Sequence, residues 1–187
     1  MTERDVRRDN ALRLLCGRPF DLDAAARRVG RGSGVYAWWA PPSVFPELPG
    51  PEQPIDESLR LLYIGRATSL RGRIVRTHLR QSGSSTLRRT LAGLLLPTEG
   101  YRTEWTDRVV LCREDEQRLT KWMRANLFLT WAEDPHPEEI EDGLIRRMRP
   151  PLNVHGVAPA FLQAAVVAAK DAYNTSAQPP EPTAEPA

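Results

Sequence analysis

Gly34-Val35-Tyr36-Ala37-Trp38-Trp39 and Leu61-Leu62-Tyr63-Ile64, the second closed by Gly65, are the two stretches from which the fold can be read. Both are rich in β-branched and aromatic residues and both are short, as strands are. Between them, residues 40–57 contain Pro41, Pro42, Pro46, Pro49, Pro51 and Pro54, which only a loop can accommodate. Two strands joined by such a loop pair antiparallel. Side chains alternate along a strand, so that pairing sets Tyr36 and Tyr63 on one face of the sheet.

Working outward, Leu127 to Trp131 reads as a third strand, and Val109-Val110-Leu111 as an irregular one within the less regular segment 97–112. Residues 4–16 and 21–29 read as short helices, the second capped by Asp21. A helix over about 69–80 begins at Thr68 or Ser69, and residues 81–85 form a turn. The next helix spaces Leu87, Leu91, Leu94 and Leu95 along one side. Residues 114–126 form another, with Leu119, Trp122 and Met123 facing the core, and an Ala-rich helix spans about 159–173. From Thr175 the Pro-, Ala- and Glu-rich tail is expected to be disordered. Together these predict a chain that mixes helices with three clear strands.

Pro137 to Arg149 predicts a helix with a proline in its first turn, Glu138 and Glu139 at its positive end, and Pro150 as its stop. At about 100° per residue, Glu141 falls within roughly 60° of Leu144, Ile145 and Met148, on the face that must be buried. A carboxylate there is paired, protonated, bound to a metal, or at the margin of the apolar stripe.

The net charge of +2 conceals an asymmetry. Ser58 through Thr98 contains no Asp or Glu, yet carries Arg60, Arg66, Arg71, Arg73, Arg76, Arg80, Arg88 and Arg89. Arginine forks match phosphate oxygens in pairs, so this block predicts a nucleic-acid face. Cys16 and Cys112 lack partners at metal-site spacing and read as reduced thiols. His78, His136 and His155 are too dispersed for a zinc site. No apolar run reaches the length of a transmembrane helix, and the charged start MTERDVRRDN does not read as a secretory signal, so a cytoplasmic location is expected.

Gly34-Val35-Tyr36 and Tyr63-Ile64-Gly65 resemble the paired signature of the GIY-YIG nuclease superfamily. The family's arginine lies eight residues beyond the second motif's glycine, which here is Arg73, within Gly65-Arg66-Ala67-Thr68-Ser69-Leu70-Arg71-Gly72-Arg73. Its metal-binding glutamate stands on a helix that runs into a proline-rich turn and an asparagine. Glu141 to Asn153, through Pro150 and Pro151, is similar to that element.

The resemblance covers roughly residues 32–153 and implies an α+β fold, an α/β sandwich in which a small three-stranded antiparallel sheet is flanked by helices. It implies a DNA endonuclease with one Mg²⁺ (or Mn²⁺) held by Glu141. Arg73 would hold the scissile phosphate, Tyr36 would orient or deprotonate the attacking water with support from Tyr63, and Asn153 would brace the site. Since a free tyrosine titrates near pH 10, a base role for Tyr36 requires a pKa lowered by Arg73 or the metal.

Many relatives carry His or Tyr four residues after the arginine. Here that position is Thr77, and His78 is one further. On a regular helix Thr77 lies about 40° from Arg73 and His78 about 140° away, so His78 reaches the site through a distorted helix or has no role there. Arg76 and Arg80 fall on the same helical side as Arg73. With Arg66, Arg71, Arg88 and Arg89 they are the candidate phosphate contacts.

The expected organisation is an N-terminal helical extension over 1–31, a nuclease domain over 32–156, a C-terminal helix over 157–174 and a tail over 175–187. The nuclease domain carries an inserted loop at 40–57 and a helical insertion around 83–126. A compact restriction or defence nuclease, monomeric or homodimeric and without a membrane partner, fits this organisation. A catalytically inactive DNA-binding module or partner subunit is the alternative, and a structural protein whose arginines bind acidic partners is a third.

Overall fold

The computed structural model describes residues 1–153 and 160–178. The chain runs α1 (Glu3–Leu15), β1 (Phe20–Asp21), α2 (Leu22–Arg28), β2 (Gly34–Ala40), a single 3₁₀ turn at Pro42–Val44, β3 (Arg60–Ala67), a π-helix (Gly72–His78) and α3 (Thr86–Glu99). It continues through β4 (Thr103–Trp105), β5 (Val109–Leu111), α4 (Arg113–Asn126), β6 (Phe128–Glu133), α5 (Pro137–Met148) and α6 (Ala160–Asn174). The disordered reading of the tail from residue 179 and the reading of His155 fall outside the described residues.

The fold is α+β, with an antiparallel sheet between helices. The sheet has four strands rather than three, in the order β1-β6-β2-β3, and β4 and β5 form a separate hairpin. The extra strand is Phe20–Asp21, paired with Leu129 and Phe128. Two residues carry no periodicity to read, and Asp21 also caps α2 by accepting from the Ala24 N–H at 2.6 Å.

β2 pairs with β3 in the register Tyr36↔Gly65 and Trp38↔Tyr63, broken by an irregularity between Trp38 and Trp39. Every residue of β2 is buried, because helices cover both faces of the central strand. On one face Val35, Ala37, Trp39, Leu61 and Ile64 meet α1 and α5 through Ala11, Leu15, Ile140 and Leu144. On the other, Tyr36, Trp38 and Leu62 join a larger core with Leu70, Ile74, Leu87, Leu91, Leu119 and Met123. In this second core α6 crosses α3 closely: a Cβ on Gly93 would collide with the Ala169 carbonyl.

The helix expected over 69–80 departs from the regular form. Gly72–His78 is π-helical, and the Leu79 N–H bonds the Ile74 carbonyl, five residues back, at 3.0 Å. A π-helix holds one more residue per hydrogen-bonded ring than an α-helix, and such turns concentrate at functional sites.

Candidate active site

Gly65 is the point at which the two strand motifs meet. It pairs with Tyr36, and a Cβ there would lie 2.6 Å from the Tyr36 hydroxyl and 2.8 Å from Cε1 of Tyr63. Only glycine lets both aromatic rings lie over this part of β3. Gly34 plays the matching part on β2, where a Cβ would strike the Ala132 carbonyl and sit 2.9 Å from Cδ1 of Leu70. The Tyr36 and Tyr63 rings lie 6.5 Å apart, tilted at 41°.

The π-helix turns His78 towards Tyr36. An α-helix would carry position 78 away from Arg73, but a turn closed five residues on returns it to the same side. His78 is fully buried, and its Nε2 lies 2.7 Å from the Tyr36 hydroxyl. Its Nδ1 lies 2.7 Å from Oγ of Ser85, which also caps α3 by accepting from the Arg88 N–H at 3.1 Å. Trp38 closes the pocket, its ring edge-on to the imidazole at 5.8 Å. Burial holds the His78 pKa well below its ordinary value, and the nearby Arg73 and Arg88 charges push it the same way, so the ring is neutral. Thr77 lines the adjoining cleft. Ser85 was not legible as a site residue, since in sequence it is one more serine in a turn.

Burial also raises the Tyr36 phenol far above the usual tyrosine range. Tyr63 adds to the shift, and the opposing pull of Arg73 does not offset it. Arg73 alone therefore does not lower the Tyr36 pKa as a standing phenolate base would require. Tyr63 is raised too, by burial and then by the negative charge of Glu141.

A cleft of about 620 Å³ is lined by Arg66, Ser69, Arg73 and Thr77 on one side and by Pro137 and Glu138 of α5 on the other. Arg73 is anchored by donating to the Ser84 carbonyl at 3.1 Å. Glu141, one turn into α5, sits at the margin of the buried stripe formed by Ile140, Leu144 and Met148. Its Oε2 accepts from Nε of Arg66 at 2.7 Å. Burial raises the Glu141 pKa and Arg66 only partly reverses it, so the carboxylate is short of positive compensation.

The described residues contain no group of three or more His, Cys, Asp or Glu that could cage an ion. What the donor set fits is a hard divalent cation held by Glu141 and completed by water, as magnesium accepts.

Asn153 touches none of the reacting positions. Its side-chain amide pairs with the backbone of Ile64, accepting from N–H at 2.9 Å and donating to C=O at 2.8 Å. It thus grips β3 between Tyr63 and Gly65. Arg149, in the left-handed region at φ 49°, turns the chain out of α5 towards this contact.

The arginine block divides. Arg66, Arg76 and Arg80 are exposed, and Arg80 borders a second hollow with Lys121 and Arg124. Arg88 is completely buried and paired with Glu116. Its assignment as a phosphate contact is corrected, because every donor of its fork is engaged inside the protein. Arg71 donates to the Ala26 carbonyl at 2.7 Å, and Arg89 to the carbonyls of Ser82 and Gly83 at 3.1 and 3.0 Å. Both are half-buried and committed to holding α2 and the 82–84 turn rather than free to track a ligand.

A family model described as the GIY-YIG catalytic domain matches residues 34–164, well over half of the chain. The match begins at the glycine of the first strand motif and includes Tyr36, Tyr63, Arg73, His78, Glu141 and Asn153. No curated protein and no solved structure matches the chain.

Proposed function

The chain belongs to the GIY-YIG catalytic-domain family, and on that premise we propose that it is a divalent-metal-dependent endonuclease that hydrolyses DNA phosphodiester bonds. Members of this family are typically endonucleases and generally use a divalent metal. The observation that carries the reading is the hydrogen-bonded chain Tyr36–His78–Ser85, together with a cleft lined by Arg73 and Arg66, the latter paired with the half-buried Glu141 carboxylate.

In the proposed reaction Arg73 holds the scissile phosphate and offsets the charge that grows on it. With its proton on Nδ1, directed to Ser85, His78 presents a bare Nε2 to the Tyr36 hydroxyl. Tyr36 then takes a proton from the attacking water as it passes its own to His78. The water O–H bond breaks and the new P–O bond forms as the bond from phosphorus to the leaving sugar oxygen breaks. That oxygen takes a proton from solvent, and His78, an imidazolium for the length of the step, returns its proton to solvent by way of Tyr36. This hand-on needs no standing phenolate, consistent with a phenol whose pKa is raised. Tyr63 packs beside Tyr36 and keeps its ring in place, while Asn153 fixes the strand that carries Tyr63.

Glu141 would hold the cation, which when bound supplies charge stabilisation for the phosphate and the leaving oxygen. Arg66, Arg76 and Arg80 would follow the flanking phosphates. The nuclease domain is taken as residues 32–156, with residues 1–31 as a helical extension built against it through the packing of α1 on α5 and β6.

Plasmid and branched DNA incubated with Mg²⁺ or Mn²⁺ test the reading, with Glu141→Gln as control. The expected result is cleavage by the wild type that is lost on chelation and in the variant. DNA binding with no cleavage by the wild type under either ion leaves a binding module in place of an enzyme.

A further inference from the structure

Arg88, completely buried, is paired with the largely buried Glu116, and no step above uses them. The pair stands at the far end of the π-helix. Arg88 reaches Oε2 of Glu116 through Nη2 at 2.6 Å and Nε at 3.1 Å, and donates again to the Glu116 carbonyl at 2.7 Å. Its remaining nitrogen donates to the His78 carbonyl at 3.0 Å and to Oγ1 of Thr120 at 2.9 Å. The Thr120 hydroxyl in turn shares its one proton between the Glu116 carbonyl at 2.9 Å and the Leu79 carbonyl at 3.2 Å. Oε1 of Glu116 is held by the Ser82 hydroxyl at 2.6 Å and by its N–H.

The carbonyls that end a helix have no partner within it. Here those of His78 and Leu79 are both filled from α3 and α4. The same Arg88 donates its backbone N–H to Ser85, the hydroxyl that meets the imidazole. Arg88 therefore grips His78 from two directions, at its main chain and through Ser85.

We propose that the Arg88–Glu116 pair is a positioning device for the proton-accepting His78: it holds the end of the helix in the five-residue register that directs the imidazole at Tyr36. The physical reason is that π-helical turns are rare; with nothing outside the helix to hold its last carbonyls, this one is expected to relax to the four-residue register. In the relaxed register position 78 turns away from the site and Thr77 takes its place. A fork with donors in a fixed plane can hold the His78 carbonyl, Thr120 and Glu116 together; an ammonium group cannot. The proposal rests on the reading of His78 as the acceptor of the Tyr36 proton.

Two variants test it. Arg88→Met with Glu116→Leu removes both charges together, which avoids leaving one buried and unpaired, and is expected to fold. Arg88→Lys keeps the charge and removes the fork. In each, the turnover rate on a DNA duplex is expected to fall about thirtyfold or more while DNA affinity stays within about threefold, because the cleft and its exposed arginines are untouched. Proton and nitrogen resonances of the His78 ring, assigned with His78→Asn, are expected to lose the signature of a ring N–H held in a hydrogen bond.

A folded double variant with wild-type turnover, or with unshifted ring resonances, overturns the proposal. So does failure of both variants to fold, since the pair is then a folding element only. The ring resonances need no cleavage, so they judge the positioning claim even if the wild type proves not to cut DNA.

Discussion

The two faces of β2 are made by alternating residues of one seven-residue strand, yet they do different work. Val35, Ala37 and Trp39 enter an apolar layer against α1 and α5, where the indole N–H of Trp39 is satisfied by Thr130 at 2.9 Å. Tyr36 and Trp38 point the other way and meet a buried histidine. Trp38 and Trp39 are the same residue type in adjacent positions, but one belongs to a structural core and the other to the wall of a reactive pocket. Burial alone therefore does not separate core from site in this molecule. What separates them is the buried chain of polar atoms Tyr36–His78–Ser85, which lies on one face only.

That comparison is sharpest when substitutions on the two sides are measured for both stability and cleavage. The largest effect is expected at the cleft. Glu141→Gln keeps the shape and removes the charge, and should lower the cleavage rate about a thousandfold or more, since metal stabilisation of this kind is worth several kcal/mol and each 1.36 kcal/mol is about tenfold. DNA affinity and thermal stability should change little. Wild-type cleavage that persists in excess chelator breaks the assignment of Glu141 to a cation.

On the dry face Leu144→Ala should do the reverse. It is fully buried, and its truncation should cost about 2–5 kcal/mol in denaturant unfolding while turnover per folded molecule is retained. Equal losses of stability and turnover in both variants would erase the distinction between the faces.

His78 lies between these extremes. His78→Asn cannot accept and pass on a proton, and the cleavage rate should fall roughly a hundredfold. The same residue should set an acid limit on stability. Its folded pKa is depressed by burial, so below the unfolded value of 6.5 the unfolded chain binds more protons than the native one. This contribution is complete above about pH 6.5 and is lost as the pH falls, by at most about 1.4 kcal/mol per pH unit. Glu141, with its folded pKa raised, works in the opposite sense: stability is lost as the pH rises above its unfolded value of 4.5. The difference between wild type and His78→Asn isolates the histidine, and parallel stability–pH curves for the two would show that His78 is not held neutral.

The smallest effect is expected at the surface. Arg76→Ala and Arg80→Ala should each reduce the slope of log affinity against log salt by about 0.9 on duplex DNA, with no loss of fold. Unchanged slopes place these exposed arginines off the nucleic-acid path.

Much of this was legible in the sequence because it rests on short periods. Alternation along 34–39 and 61–64 set Tyr36 and Tyr63 on one face, and helical spacing put Glu141 against the apolar stripe of α5. The π-helix was not legible, since no residue pattern in 69–80 marks a turn closed at five rather than four; the carbonyls that fix it are held by Arg88 and Thr120, ten and more residues away. The same distance hid the fate of Arg88. An acid-free run looks uniformly basic and exposed until Glu116, from another helix, reaches in to meet the buried Arg88. β1 escaped for a simpler reason, as two residues hold no pattern.

The outer side of β3 has a further consequence. It is the last strand of the sheet, and its Leu-Leu-Tyr-Ile run is apolar enough to recruit a strand from another chain. The places for such recruitment are taken. The Leu59 carbonyl and Leu61 N–H are bonded to Gln53 and Pro51 of the proline-rich loop, the Leu62 carbonyl to Leu152, and both groups of Ile64 to the Asn153 amide. A loop full of prolines cannot itself pass the pairing outward, so it ends the sheet. The strand's outer hydrogen-bonding groups are thus closed to a strand from another chain, and the asparagine that braces Ile64 also helps to seal this edge of the sheet.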